Sequence, residues 1–389
     1  MKKKLALALV FVMGLSFTAC GKTTVSDSTN EAVSGGVQST DTNEDKESSG
    51  KSDKTTITFI NGFTGGDGEY MTKIVDGFNE SQSDYYIEQL QDADHYTKFK
   101  SGDFDMLIIH ADWISTYHAM GLLREVSDIY DMAGISFEND FHDITKTYAK
   151  YDDGVFAFPL DLYAETTFYN KEYTDEAPKD YNDMIELRDK LDSENSGIYP
   201  YGLPLTGDQQ WAWMTALGQC GVNWVEDEHI KLDTEEACDA FMKIHDMIYK
   251  DHLSPAGLGA DDHFNTFISQ SETAANVKTV VSMTGPWKYT VAKEVLGDNL
   301  GIGTVPQIYG DKKCVPAGGH TFGVSSKVTD EKKIAGIAAF MKYTYQPDVL
   351  LNWADSGQAP VHLATMEVVK ANPEKYPVAA VNYTIFDDA

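Results

Sequence analysis

From Thr55 onward, apolar and polar positions follow two alternating rhythms. Short apolar runs with polar borders occupy 56–60, 106–109, 155–160, 166–169, 277–283 and 321–324. Runs of this length, rich in β-branched and aromatic residues, predict buried strands of a largely parallel sheet. Between them, apolar residues return every three or four positions. Tyr70, Met71, Ile74, Val75 and Phe78 share one predicted helix face, and Ile334, Ile337, Ala338 and Met341 share another. A further helix is predicted over 114–123. Segment 233–251 reads as a helix capped by Asp233 and answered by Glu236, with Cys238, Phe241, Met242, His245, Ile248 and Tyr249 turned toward the core. Strands alternate with helices and no internal repeat is visible, so the fold class is α/β.

The first 54 residues follow neither rhythm. Lys2, Lys3 and Lys4 precede an apolar run over 5–17, then Thr18, Ala19 and Cys20. A basic start, a short apolar stretch and small residues before a cut describe a secretory signal over 1–19. The run is shorter than the roughly 20 residues that cross a bilayer as a helix. A cysteine directly after the small residues resembles a bacterial lipobox, in which Cys20 is lipidated; Phe17 stands where that motif usually has Leu. An ordinary secretory signal with a free Cys20 is the alternative. Residues 21–54 carry 12 Ser/Thr and no aromatic residue. Such a segment buries too little surface to offset its ordering entropy, so 20–54 is expected to be a flexible tether.

Composition removes several function classes. The chain has 389 residues, with 31 Lys plus Arg against 61 Asp plus Glu and a net charge of −30. A polyanion repels nucleic-acid phosphates and anionic lipid heads, so no nucleic-acid partner is expected. With 42% hydrophobic and 12% aromatic residues the body can build a core. Its length points to two domains or one two-lobed domain. Cys220, Cys238 and Cys314 are odd in number and lack CxxC spacing; free buried thiols are expected, a Cys220–Cys238 bridge being the alternative.

Signatures of catalysis are absent. No GxSxG elbow, GxxxxGK[ST] loop or HExxH pair occurs. Gly62, Gly65, Gly66 and Gly68 follow the first strand without dinucleotide spacing, and serve better to let the backbone approach a neutral ligand. The histidines do not pair at metal spacing. His110 with Asp112, and Asp261, Asp262 and His263, could chelate in the right fold but read as solvated surface in so acidic a chain, so no metal and no cofactor is expected. Paired carboxylates keep a glycosidase in contention, because their separation of about 5–9 Å cannot be read from sequence. More distinctive are aromatics beside polar residues in loop positions: Asp112 with Trp113, Asp161 with Tyr163, Asp208 and Gln210 with Trp211, and Gly285-Pro286-Trp287. A sugar needs flat apolar platforms bordered by carboxylates and amides. Trp213, Trp224 and Trp353 lack that context and read as packing residues.

These segments, in order, resemble a family. Phe158-Pro159-Leu160-Asp161-Leu162-Tyr163 through Phe168-Tyr169-Asn170-Lys171, then Met283-Thr284-Gly285-Pro286-Trp287, Phe322-Gly323-Val324 and Gly357-Gln358-Ala359-Pro360-Val361 are similar to motifs of the extracellular solute-binding proteins of carbohydrate ABC importers, of which maltose-binding protein is a member. The resemblance spans roughly 55–389. It implies a type II periplasmic-binding-protein-like fold, with two α/β lobes joined by hinge strands and a ligand cleft between them. Lobe 1 is expected over 55–161 plus 321–382 and lobe 2 over 162–320. Ligand-binding positions implied by the resemblance are Phe63, Thr64, Asp67, Asp112, Trp113, Tyr163, Asp208, Gln210, Trp211, Trp287 and His320. Several charged positions of a maltose site are Phe63, Thr64, Trp113 and Tyr163 here, which argues against assuming maltose. Family members also continue past the region resembling 383–389, so the sequence is expected to be a truncated record lacking the completion of lobe 2.

The expected function is a lipid-anchored extracellular receptor, monomeric and without enzymatic activity. It would capture a sugar, expected to be an oligosaccharide, and deliver it to an ABC permease with a separate ATPase, on the outer face of a Gram-positive-type cytoplasmic membrane. A secreted carbohydrate-active enzyme, or a same-fold binder of a non-sugar solute, is the alternative.

Overall fold

A computed structural model describes residues 53–194, 197–226 and 229–387; the signal sequence, Cys20 and nearly all of the 20–54 segment lie outside the described residues. The first stretch runs through β1 (Thr55–Asn61), α1 (Gly68–Ser81), β2 (Tyr85–Gln91), α2 (His95–Ser101), β3 (Met106–His110), α3 (Ile114–Ala119) and β4 (Phe158–Pro159). The middle stretch comprises β5 (Asp161–Ala164), β6 (Thr166–Asn170), α4 (Tyr181–Glu194), β7 (Ile198–Tyr201), α5 (Gln209–Gln219), α6 (Glu235–Tyr249), β8 (Lys278–Thr284), α7 (Tyr289–Leu296) and β9 (Leu300–Gly303). The chain returns through β10 (Ala317–Gly318), β11 (His320–Val324), α8 (Glu331–Thr344), α9 (Pro347–Asp355), β12 (Ala359–Pro360), α10 (Leu363–Lys370) and α11 (Pro377–Asp387).

Two sheets result. The first has the order β2-β1-β3-β11-β4, with β1 parallel to β2 and β3 and β11 antiparallel to β3. The second has the order β9-β6-β8-β7. Each carries its own apolar core, one around Ile57, Phe59, Phe322 and Phe340, the other around Leu203, Leu217, Val281 and Met283. A third, three-stranded ladder, β10-β5-β12, lies on the chain between the two sheets. The result is the two-lobed α/β architecture of type II binding proteins, with β5 and β10 as the crossing strands.

Three expectations need correction. Thr234, not Asp233, caps α6, accepting the Ala237 amide at 3.2 Å. The face of α6 expected to turn inward mostly turns out: Cys238, Phe241, Met242, His245 and Tyr249 are exposed, and of that set Ile248 alone is buried. Ala237, Ala240 and Met247 take the inner side instead. Small residues there let α6 lie close against the lobe 2 core, and that packing decides between two apolar faces that periodicity alone cannot rank. The thiols are free, but Cys238 and Cys314 are exposed and Cys220 is half-buried, so burial was the wrong expectation.

Where the chain crosses between sheets, Asp161 is fully buried. Its carboxylate accepts the His320 amide at 2.9 Å, His320 Nδ1 at 3.0 Å and Trp353 Nε1 at 2.6 Å. One carboxylate thus binds the start of β5 to the start of β11 and to α9. Gly319 is obligatory beside it, since a Cβ there would lie 2.6 Å from the Asp161 carbonyl oxygen. Removing one partner of a buried charged network costs about 3–5 kcal/mol. Asp161→Ala is therefore expected to lower unfolding free energy by roughly that amount in urea titration, and Asp161→Asn by less, because an amide oxygen can still accept.

Candidate functional site

Loops following β1, β2 and β3 leave the same, carboxyl, end of the first sheet, which is where open α/β sheets bind ligands. The first loop contributes Gly62 to Asp67. Asn61 Oδ1 accepts the Phe63 amide at 3.1 Å and fixes the turn. The second loop contributes His95 at the start of α2, and the third His110, Asp112 and Trp113. Gly62 is required for close approach, because a Cβ there would stand 2.4 Å from the His95 ring. Opposite them, Tyr163 comes from β5, Trp211 from the first turn of α5 and Trp287 from the turn before α7. Of these residues, Gly62 to Gly65, Asp67, His95, His110, Tyr163, Trp211 and Trp287 line a cavity of about 390 Å³ together with Ile108 and His320.

Tyr163, Trp211 and Trp287 form one aromatic cluster. Tyr163 stands edge-on to Trp287 at 5.7 Å and to Trp211 at 6.3 Å, and the two Trp centroids are 5.8 Å apart. Phe63 packs on Trp353 at 4.7 Å and edge-on to His320 at 4.9 Å, so it is a supporting wall rather than an open platform.

The histidines are set by their hydrogen bonds. Tyr96 Oη accepts the His110 amide at 2.9 Å and lies 2.5 Å from His110 Nδ1. Burial, with His320 alongside, pushes His110 down to about 3, so its ring is neutral. A neutral ring has one donor and one acceptor nitrogen, and Tyr96 Oη is the partner of Nδ1. The His320 ring donates from Nδ1 to Asp161. The two rings lie 4.8 Å apart. Burial also lowers His95, neither of whose ring nitrogens has a well-formed hydrogen bond. Asp67 is raised by desolvation, opposed by His320 and by Gln358 Nε2, which donates to it at 3.3 Å. No Lys or Arg lines this cavity.

A second cavity of about 580 Å³ adjoins the first and shares His110, Tyr163 and Trp211 with it. Its lining is mostly apolar and aromatic, including Tyr96, Trp113, Tyr148, Met214 and Phe386, with His110, Asp112, Thr147 and Gln210 as polar members. Trp113 is 42% exposed and stacks on Tyr96 at 5.4 Å. Partial desolvation raises the Asp112 carboxyl.

The structure brings Phe63, Thr64, Asp67, Tyr163, Trp211, Trp287 and His320 to the first cavity and Asp112, Trp113 and Gln210 to the second. Asp208 lines neither; it lies 3.6 Å from Nε2 of buried His263. His95, Tyr96, Tyr148 and Met214 were not foreseen. The available signal was that β2 ends at 91, so the loop carrying His95 must open beside those after β1 and β3. His110 was seen, but as a solvated surface residue rather than a cavity wall. Among the described residues no cluster could hold a metal ion, and no helix is long and apolar enough to cross a membrane.

Comparison with known proteins places the chain. The family model described as bacterial extracellular solute-binding protein matches residues 73–377. An sn-glycerol-3-phosphate-binding periplasmic protein UgpB of Brucella abortus is 24% identical, over 83% of this chain and 79% of its own. A maltotriose-binding protein of Pyrococcus abyssi is also 24% identical, over 66% of this chain and 54% of its own. Among solved structures, maltose-bound MalE3 of T. maritima superposes with a TM-score of 0.71 at 18% identity, covering 86% of this chain and 88% of that one. UgpB of Mycobacterium tuberculosis, in complex with glycerophosphocholine, gives 0.70 at 14% identity, with 86% of each chain covered.

Behind the aromatic cluster, Glu165 joins β5 to β6 and is 4% exposed. Thr215 Oγ1 lies 3.0 Å from its carboxyl and 2.8 Å from the Trp211 carbonyl. The Thr215 hydroxyl donates to both acceptors, and its bond to Glu165 favours the carboxylate without offsetting burial. Desolvation raises Glu165 from 4.5 to about 7. The folded state then holds this proton more tightly than the unfolded chain, so the contribution is full below about 4.5 and lost as pH rises through about 7. A shift of this size is worth about 3 kcal/mol. Melting temperature is expected to fall over that window in wild type, and this component to vanish in Glu165→Gln.

Proposed function

The chain belongs to the bacterial extracellular solute-binding proteins, and within that family we propose that it is a receptor for a neutral, hydroxyl-rich ligand, a short oligosaccharide. Family members work with ABC transporter permeases. The observation that carries the reading is the composition of the first cavity, in which His110, held neutral by burial, and a three-ring aromatic cluster meet without any Lys or Arg. A phosphate monoester is a dianion and calls for fixed cations; Asp67 beside it would repel one. A sugar ring instead offers an apolar face to Trp211 and Trp287, and hydroxyls that can donate to or accept from the His110 and His320 rings.

Binding alone is the mechanism. A micromolar dissociation constant needs about 8 kcal/mol net. Stacking contributes roughly 0.5–1.5 kcal/mol per aromatic contact beyond its burial. Ligand touching both lobes favours the closed arrangement, a population shift rather than a driven stroke. Close approach already occurs at Gly66, where a Cβ would stand 1.9 Å from Thr290 Oγ1 of α7. In this reading the lobes divide as 55–161 plus 321–382 and 162–320, and the receptor works as a monomer. Lipidation at Cys20 with a tether over 20–54 would hold it outside the cytoplasmic membrane, while a separate ATPase supplies transport energy.

A second reading has one observation in its favour. The aromatic second cavity with Asp112 suits a quaternary ammonium, which binds over ring faces. A zwitterionic glycerophosphodiester such as the glycerophosphocholine found with the M. tuberculosis relative could span both cavities.

Titration calorimetry against oligosaccharides and glycerophosphocholine separates the two. On the sugar reading, Trp211→Ala and Trp287→Ala each weaken oligosaccharide binding ten- to a hundredfold, about 1.4–2.7 kcal/mol, and Asp112→Asn matters little. On the second reading glycerophosphocholine binds, and Asp112→Asn or Trp113→Ala weakens it tenfold or more. Sugar hydrolysis abolished by a single carboxylate substitution would sink both.

A further inference from the structure

Helix α6 is apolar on two sides. Its inner side, Ala237, Ala240, Met247 and Ile248, is buried in the second core. Its outer side presents Cys238, Phe241, Met242, His245 and Tyr249, with Phe241, Met242 and Tyr249 exposed by 41%, 48% and 62%. These positions recur at three- and four-residue steps over three turns, a straight stripe about 16 Å long. His245 and Tyr249 pack ring to ring at 5.0 Å and make its far end continuous. Single exposed apolar residues are ordinary on a surface, but five along one helical face form a patch of the kind that marks an interaction site.

Charge is arranged on one edge of this stripe. Glu235, Asp239 and Asp246 fall beside it on the helix, within 60–100° of its centre by the helical repeat of about 100° per residue. Asp246 is engaged by His245 and Lys250, which leaves Glu235 and Asp239 to face outward. Lys243 is drawn off the stripe, its ammonium lying over the Tyr181 ring at 4.2 Å. We propose that the outer face of α6 docks an amphipathic helix of a partner protein whose apolar residues are bordered by Lys or Arg. Length and straightness fit a helix laid along it, with anchors at three- and four-residue spacing. The carboxylate edge sets the sign of the partner. A second copy of this chain, itself strongly acidic, would bring like charges together, and an anionic lipid surface would be repelled. None of the stripe residues lines either ligand cavity, so the surface acts independently of ligand identity.

The test is fluorescence anisotropy with two labelled 18-residue helical peptides sharing one Leu register, one flanked by Lys and one by Glu. Wild type is expected to bind the Lys peptide, at least tenfold more weakly in 0.5 M salt, and to ignore the Glu peptide. Phe241→Ser/Met242→Ser should weaken the Lys peptide tenfold or more. Glu235→Lys/Asp239→Lys, which keeps the apolar face, should reverse the preference. Circular dichroism melts confirm that both variants fold, and binding in the cleft should be unchanged. The proposal is overturned if neither peptide binds, if both bind equally, or if the variants bind as wild type does. It is also overturned if the face instead mediates concentration-dependent dimers in sedimentation, or binding to phosphatidylglycerol vesicles.

Discussion

The structure turns on one buried carboxylate. Asp161 sits where the chain leaves the first sheet, and its two oxygens gather the His320 amide, the His320 ring and the Trp353 indole. A carboxylate taken out of water is tolerated only when such donors replace its hydration. Here the replacement comes from β11 and α9, far apart in sequence from β5. The same bonds that satisfy Asp161 therefore fix both crossing strands and the orientation of His320. His320 then holds Phe63 edge-on, and Phe63 closes the wall against Trp353. The hinge and the ligand cavity are one hydrogen-bonded and aromatic unit.

From that unit the chemistry of the site follows. Burial keeps His110 neutral with Tyr96 as the partner of its Nδ1, and Asp161 holds the Nδ1 of His320. A cavity lined by imidazole rings and an edge-on aromatic cluster, without guanidinium or ammonium groups, suits the hydroxyl-rich ligand proposed above. The absence of fixed cations in its lining is the sharpest contrast with what a phosphate monoester requires.

Much of this was legible in the sequence. Strand and helix rhythms gave the α/β class, and loop aromatics beside acids picked out Trp113, Tyr163, Trp211 and Trp287. What escaped has physical reasons. His95 reaches the cavity through the register of β2 beside β1, a relation between strands that a linear pattern does not carry. Asp208 looked like a sugar contact because it precedes Trp211, but the first turn of α5 aims it at His263 instead. On α6 both faces are apolar, and only packing against lobe 2 chooses Ala237 and Ala240 over Phe241 and Met242. Trp353 was read as packing, which it is, yet its indole also completes the Asp161 shell.

The central claim is that the cavity selects neutral hydroxyls and rejects phosphate monoesters. A competition titration measures this most directly, with a neutral oligosaccharide and sn-glycerol 3-phosphate added in turn to the same protein at pH 7.5 and pH 5.5. The account predicts that the sugar binds and that the phosphate does not displace it at either pH. Tighter binding of the phosphate, strengthening as pH falls, would contradict it.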